Sequence, residues 1–457
     1  MVRKKAIIVG AGPAGLLCAY VLSQKGIGVT VFEDGYDVNR RRCPRHELGY
    51  CVKCEHCSFI QGVGGGGLFS DGKLNLSPTI GGNLLEFMSR DEAIKLIERV
   101  DGIFEKNGAK GGMSDPGKKG DRLEAFAKAE GIEFIPIKQR HIGSDRLPNV
   151  IKSIKRHIEK HGGIIITETR VKDVLVKNGC AVGVIADGKK IPADYVVIAT
   201  GRSGARWNQR ICANHGIKMS HQPLDIGVRV EVPAEIMDEI TKISWDPKFH
   251  INTKHYDDFV RTFCTNPHGF VISEYYGDYV CVNGHARRDA RSQNTNFALL
   301  VHMPLTEPLE NTTQYGESIA RMATTIGGGM PIIQRLIDIK SGRRSTWERI
   351  GKSYVEPTLK HVTPGDIGMA LPSRIVMNVL EALEMLNKVI PGVAEDSTLL
   401  YAPEIKFHAL RVHVTSKMET NVKNLFMVGD GAGVSRGIVH AAATGIIAAE
   451  EIANRVK

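Results

Sequence analysis

The chain has 457 residues, 42% of them hydrophobic, and carries 60 lysines and arginines against 50 carboxylates, a net charge of +10. That length is enough for two or three domains with real cores and excludes a disordered chain, and no apolar run reaches the roughly 18 residues of a membrane span. The positive balance favours anionic partners such as nucleotides, acidic metabolites or RNA without choosing among them, and a solvated basic surface accounts for it more simply.

The opening MVRKKAIIVGAGPAGLLCAYVL has the basic start and apolar run of a secretory signal, but glycines interrupt the run and a helix period follows. The pattern predicts a strand over 6–9, a glycine turn, and a helix striped by Ala14, Leu17, Cys18, Val21 and Leu22 that ends at Gly26. A second strand over 29–32 then ends in Glu33 and Asp34, completing a βαβ unit. Nine cysteines, four of them between Cys43 and Cys57, in a chain without an export signal point to thiol or metal chemistry in a reducing, cytoplasmic setting.

Residues 35–80 show little periodicity and are expected to form extended loops. Helical patterns follow over about 83–106, 121–130 and 146–161. Residues 164–201 read as four or five strands, because Asn178-Gly179 and Asp187-Gly188 are strong hairpin turns. From 205 to 404, strands over 226–232, 270–276, 279–283 and 297–303 mix with helices near 318–325 and 373–388. The chain closes with a strand, a glycine turn and a helix with a small-residue face.

Gly10-Ala11-Gly12-Pro13-Ala14-Gly15 fits G-x-G-x-x-G between a strand and a helix, where backbone amides and the helix N-terminus receive a pyrophosphate. Gly10 permits the turn, Gly12 lets phosphates approach the backbone, and Gly15 lets the helix pack on the strand. Glu33, about 20 residues on, is placed to accept hydrogen bonds from ribose hydroxyls.

Tyr195-Val-Val-Ile-Ala-Thr-Gly201 and Leu425-Phe-Met-Val-Gly-Asp-Gly431 are similar to the ATG strand and the C-terminal G-D motif of the glutathione-reductase-like superfamily of FAD enzymes. More narrowly, Phe69-Ser-Asp-Gly-Lys-Leu-Asn75, Glu356-Pro-Thr-Leu, Leu371-Pro-Ser-Arg374 and Gly429-Asp-Gly-Ala-Gly-Val-Ser-Arg-Gly437 resemble the poorly characterised FAD-dependent dehydrogenases of bacteria and archaea. The resemblance covers nearly the whole chain. It implies FAD, with Asp430 on the ribityl hydroxyls, Gly431 to Gly433 beneath the isoalloxazine, and Val171, Thr200, Gly201, Gly429, Gly437 and Ile438 around the cofactor. It also implies an α/β architecture. A discontinuous Rossmann-type FAD-binding domain (1–80, 162–204 and 405–457) would combine a parallel sheet with an antiparallel meander. A helical insert (81–161) and an inserted α+β substrate domain with a mostly antiparallel sheet (205–404) would complete it. No second G-x-G-x-x-G follows Gly201, so reduced NAD(P)H would bind only transiently at the flavin face; otherwise electrons come from the substrate or a protein donor.

Cys43-x7-Cys51-x2-Cys54-x2-Cys57 leaves several readings open. Its C-x2-C-x2-C core resembles ferredoxin ligand spacing and suits a [4Fe–4S] cluster, although Cys43-Pro44 lies upstream of that core rather than downstream. Tetrahedral zinc with His46 or His56 completing the set, a redox dithiol beside the flavin, and unliganded thiols are the alternatives.

In the loop Gly64 to Gly67, Gly65 and Gly66 are candidates for close backbone approach to the cofactor. Lys73 is either a donor to the flavin ring or a solvated side chain. Arg261, His285, Asn296 and Arg374 are candidate cavity residues, and the arginine pair suits a carboxylate. The expected activity is FAD-dependent transfer of hydride or electrons to or from a small, preferably anionic molecule, without nucleic-acid or membrane partners. An FAD-dependent tRNA-modifying enzyme is the alternative, and a structural or sensory flavoprotein a third.

Overall fold

A computed structural model describes residues 4–44, 52, 54–69, 72–110, 112–143, 145–286, 290–306, 311–406 and 411–456. Five parallel strands form one sheet in the spatial order Leu425–Met427, Tyr195–Ile198, Lys5–Val9, Gly28–Phe32, Ile164–Ile166. Its central strands are continuous apolar runs because helices cover both faces: Ile7, Ile8, Val196 and Val197 are all buried. The helix Pro13–Gln24 starts with proline, whose fixed φ suits a first turn. It packs along the closing helix Ile438–Val456, and a Cβ placed on Gly445 would sit 2.1 Å from the Ala14 carbonyl oxygen. The strands Val171–Lys177, Cys180–Ala186 and Lys189–Pro192 form an antiparallel meander whose turns place Asn178 and Asp187 at φ 49° and 46°.

The second layer is an eight-stranded, mostly antiparallel sheet in the order Thr363–Pro364, Ile332–Arg335, Leu399–Lys406, Leu224–Pro233, Asn294–Met303, Phe259–Asn266, Lys248–Asn252, Ile132–Ile135. Strict alternation along Leu224–Pro233 explains its two faces. Leu224, Ile226, Val228, Val230 and Val232 join a core under the helices Ala234–Ile243, Thr312–Ile326 and Ser373–Val389. Asp225, Arg229 and Glu231 take the other face yet are still buried. There the Arg229 guanidinium donates to Glu404 at 2.5 and 2.6 Å and to the Cys264 carbonyl at 2.8 Å, so its charge is paired and its donors are used.

Segment 81–161 departs from the expected helical insert. Its helices Arg90–Lys106, Gly117–Ala129 and Leu147–Lys160 alternate with short strands Met113–Ser114, Ile132–Ile135 and Gln139–His141. Ile132 and Phe134 alternate with Glu133 and so extend the eight-stranded sheet at its edge. Lys73–Asn75, expected as loop, pairs with Gln139–His141. The strands Lys248–Asn252, Phe259–Asn266 and Leu399–Lys406 carry Lys248, Arg261, Glu404 and Lys406 on an inward polar face, which hides their strand character from a hydrophobicity pattern. Among the described residues no helix is long and apolar enough to cross a membrane.

Candidate functional site

A cavity of about 470 Å³ opens between the C-terminal ends of the parallel strands and the polar face of the eight-stranded sheet. In open α/β sheets this is where ligands bind, since the turns after the strands leave amides unpaired. Its nucleotide-side wall contains Gly10, Gly12, Pro13, Ala14, Glu33, Gly65, Gly66, Thr200, Gly201, Gly429, Asp430, Gly437 and Ile438.

Gly10 sits at φ 103°, and a Cβ there would lie 2.5 Å from the Ala199 carbonyl oxygen, so two strand ends cross at a distance only glycine allows. Gly65 has φ 62°, and its Cβ would come within 3.0 Å of the Gly12 Cα. The glycine loop therefore runs shoulder to shoulder with the first turn. At Gly12 no side chain caps the helix Pro13–Gln24, which leaves its first amides for another acceptor. Gly15 and Gly431 are not on the wall. They hold it together: a Cβ on Gly15 would lie 2.0 Å from the Gly10 oxygen, and one on Gly431 2.6 Å from the Gly201 oxygen.

Glu33 is buried and accepts hydrogen bonds from the amides of Ala11 at 2.7 Å, Gly62 at 2.9 Å and Gly35 at 3.0 Å. Three of its roughly four acceptor positions are thereby used, leaving one for a hydroxyl. Two residues outside the sequence expectations organise the same wall. Arg41 is buried and donates to the carbonyls of Ser58, Gly62, Val63 and Gly65 at 2.8–3.3 Å, clamping the glycine loop. Asn208 accepts from the Thr200 hydroxyl at 2.9 Å and donates to the Gly431 carbonyl at 2.7 Å, which locks the two glycine turns together. An isolated Arg or Asn carries no motif, so sequence offers no signal for either. Asp430 accepts from the Ser435 hydroxyl at 2.6 Å and faces Arg202 at 3.8 Å.

The opposite wall is charged. Lys73 is neither solvated nor isolated: it is buried, donates to the Thr265 carbonyl at 2.8 Å and pairs with Asp246 at 3.0 Å, and Asp246 pairs with Lys248 at 2.6 Å. Burial alone would raise the Asp246 carboxyl, but Lys248 and Lys73 together hold it well below the usual carboxylate range. Around the Phe263 ring stand Lys248 and Arg261, each 5.2 Å from the centroid, and Lys406 at 5.5 Å. Arg261 itself pairs with Asp225. Nearby, the Tyr276 hydroxyl donates to Glu274 at 2.8 Å and Asn283 donates to it at 2.7 Å. Burial works against the Glu274 charge, but Lys406 and Arg202 outweigh it, so the carboxyl titrates below its ordinary value while burial and Glu274 push Tyr276 up. The cavity thus presents an ionised acceptor beside a protonated hydroxyl.

Besides Gly15 and Gly431, four expected residues stand off the cavity wall. His285 is buried on the strand Val280–His285, and Asn296 is buried beneath the Arg229 network, accepting from it at 3.3 Å. Arg374 lies at the start of the helix Ser373–Val389 and pairs with Asp258 at 2.7 Å, with about half its side chain exposed. Proximity of 371–374 to other motifs in sequence is not proximity to the cavity, because that helix covers the opposite, apolar face of the sheet. Val171 is buried in the meander.

Cys51 and His46 lie outside the described residues. Cys43, Cys54 and Cys57 are present as thiols, and among the described residues no group of three or more His, Cys, Asp or Glu side chains is placed to hold a metal. The described part of the cysteine segment is therefore not a ligand set.

The residues on the nucleotide-side wall fit a dinucleotide with a diphosphate: uncapped amides at a helix start, a glycine cradle that any Cβ would fill, and carboxylates of Glu33 and Asp430 at its two ends. Comparison with known proteins agrees. Residues 8–53 match the model of an NAD(P)-binding Rossmann-like domain, 144–225 that of glucose inhibited division protein A, and 223–406 that of the FAD-dependent protein, C-terminal domain-like family. A Clostridium beijerinckii protein, itself uncharacterised, is 27% identical over 470 aligned positions that cover 99% of this chain and 81% of that protein. Among solved structures, glycine oxidase from Geobacillus kaustophilus aligns over 99% of this chain and 95% of its own, at 14% identity and TM-score 0.42. L-proline dehydrogenase from P. horikoshii aligns over 99% and 94%, at 12% identity and TM-score 0.42. The chain thus joins a match to an NAD(P)-binding Rossmann-like domain at 8–53 with a match to the C-terminal domain of FAD-dependent proteins across 223–406.

Proposed function

We propose that the chain is an FAD-dependent oxidoreductase that exchanges electrons with a small anionic molecule held between the flavin and the polar face of the eight-stranded sheet. The carrying observation is the cation excess of the cavity: Lys73, Arg202, Lys248, Arg261, Lys406, Arg411 and Arg436, seven cations, against the five carboxylates Glu33, Glu86, Asp246, Glu274 and Asp430. Glu33 is taken up by backbone amides, and the single charge of Asp246 is shared between Lys73 and Lys248.

In this reading the amides of Gly12 and Ala14 take the diphosphate, Glu33 a ribose hydroxyl, Asp430 the ribityl chain, and the turns at Thr200–Gly201 and Gly437–Ile438 border the ring. The bound flavin supplies hydride or single-electron chemistry. Phe263 offers an apolar platform, and Lys248, Arg261 and Lys406 around it orient an anion. Glu274 and Tyr276, joined by a hydrogen bond at 2.8 Å, offer a carboxylate acceptor to a donor group on the substrate.

The test is anaerobic mixing of the purified yellow protein with a panel of hydroxy acids, amino acids and neutral alcohols while the visible flavin band is followed. Bleaching by anionic donors and not by neutral ones is expected. Reduction by neutral alcohols alone would refute the assignment.

A further inference from the structure

Arg436 stands apart from the other cations of the cavity. Arg261 is neutralised by Asp225, Arg411 pairs with Glu86 and donates to the Gly433 carbonyl at 2.9 Å, Lys73 and Lys248 share Asp246, and Lys406 pairs with Glu404 at 2.7 Å. The Arg436 backbone is fixed, its amide donating to the Gly81 carbonyl at 2.8 Å. Its guanidinium, half-buried on the cavity wall, has no ion-pair partner among the described residues. Burial and the neighbouring charge of Arg261 weigh against its protonated form, Asp225 and Asp430 pull the other way, and Arg411 adds to the repulsion.

A partly desolvated guanidinium on an anchored backbone, beside two others, is a costly arrangement without an anion to receive its donors. The cluster is also composite. Arg436 and Arg411 flank the glycine turn that follows Asp430, whereas Arg261 comes from the strand Phe259–Asn266 on the opposite wall. An oxyanion there would bridge both layers of the fold.

We propose that Arg436, flanked by Arg261 and Arg411, is the substrate-anchoring residue of the cavity and grips a carboxylate or phosphate group of the substrate through its two-pronged guanidinium. This rests on the reading of the cavity as a flavin site for a small anion. The planar fork matches two oxygens of one such group, which a lysine cannot do. Arg436 would position the substrate without taking part in proton or electron transfer.

The experiment uses the FAD-loaded protein and three probes, benzoate, succinate and inorganic phosphate, at ionic strength held constant with chloride. Binding is read from the shift of the flavin visible band and, independently, from thermal stabilisation. The wild type is expected to bind at least one probe, carboxylates marking a carboxylate substrate and phosphate alone a phosphorylated one. Arg436→Met is expected to weaken that binding by roughly 10- to 100-fold, as loss of a charged hydrogen-bonded contact does, with FAD content unchanged. Arg436→Lys should recover part of it, and serves if the methionine variant does not fold. Equal binding by wild type and both variants overturns the proposal, as does absence of probe binding by the wild type. So does loss of FAD from Arg436→Met, which would assign the residue to the cofactor. If anionic donors still bleach the flavin with unchanged KM in Arg436→Met, the proposal fails while the oxidoreductase reading stands. A protein that takes up no FAD removes both.

Discussion

The Glu33 carboxylate accepts the Ala11 amide at 2.7 Å and, through its other oxygen, the Gly62 amide at 2.9 Å, so one side chain ties the first glycine turn to the glycine loop. Glu33→Gln would turn an amide NH2 toward one of these donors. We expect the purified variant to retain FAD roughly 10- to 100-fold less tightly, the effect of losing a charge-assisted contact. Flavin absorbance per protein after extensive dialysis measures it; undiminished retention would mean that the loops are held by Arg41 alone.

Gly445 faces the Ala14 carbonyl so closely that a Cβ would lie 2.1 Å from its oxygen. Gly445→Ala must push the helices Pro13–Gln24 and Ile438–Val456 apart, which costs about 1–3 kcal/mol as overpacking does. Chemical denaturation should show the loss, and weaker FAD retention should accompany it because the first helix carries the phosphate turn. Gly102, whose Cβ would meet nothing within 4 Å, is the control site for the same substitution.

Arg374 pairs with Asp258 at 2.7 Å on the face of the sheet away from the cavity. Arg374→Ala is expected to cost about 1–3 kcal/mol, because it leaves the buried Asp258 carboxylate with Asn378 as its remaining side-chain donor. The flavin spectrum and the reduction rate by an active donor should be unchanged. A slowed reduction at full flavin content would return Arg374 to the list of cavity residues.

Asp338 is fully buried and accepts from Arg335, Arg343 and Ser345 at 2.7–3.1 Å. Burial would raise its carboxyl, but these partners outweigh it and hold it down to about 2. A depressed carboxylate stabilises the fold fully above its unfolded value of about 4 and loses that contribution as pH falls toward the folded value. Asp338→Asn should therefore cost about 3 kcal/mol at neutral pH by stranding Arg335, and the difference from wild type should shrink progressively below about pH 4. Denaturant unfolding at several pH values reads both; a difference independent of pH would contradict the charge assignment.

Much of the nucleotide half was legible because its physics is local. Gly10, Gly12 and Gly15 fall within six consecutive residues, and backbone geometry alone assigns them their places in a strand, turn and helix. The turn residues Asn178 and Asp187 likewise announce positive φ by composition. What the sequence hid depends on neighbours distant along the chain. Lys73 reads as a surface lysine until the strand Lys73–Asn75 brings it to Asp246 and Thr265. The strand Phe259–Asn266 reads as mixed because Arg261 points into a buried polar layer, and Arg374, near family-like motifs in sequence, is carried to the far face by its helix. Arg436 lies within the segment Gly429 to Gly437, yet its distinction is that no counter-charge stands beside it among the described residues, which only three dimensions reveal.

The pairing of the helices Pro13–Gln24 and Ile438–Val456, with Leu425–Met427 as the edge strand beside Tyr195–Ile198, bears on biosynthesis. The dinucleotide turn leaves the ribosome more than four hundred residues before its backing does. During translation the nascent glycine turn lacks its supporting helix, so coenzyme capture has to await synthesis of Ile438–Val456. A product stalled before that helix would emerge as apoprotein, and loading with FAD would report that synthesis had passed it.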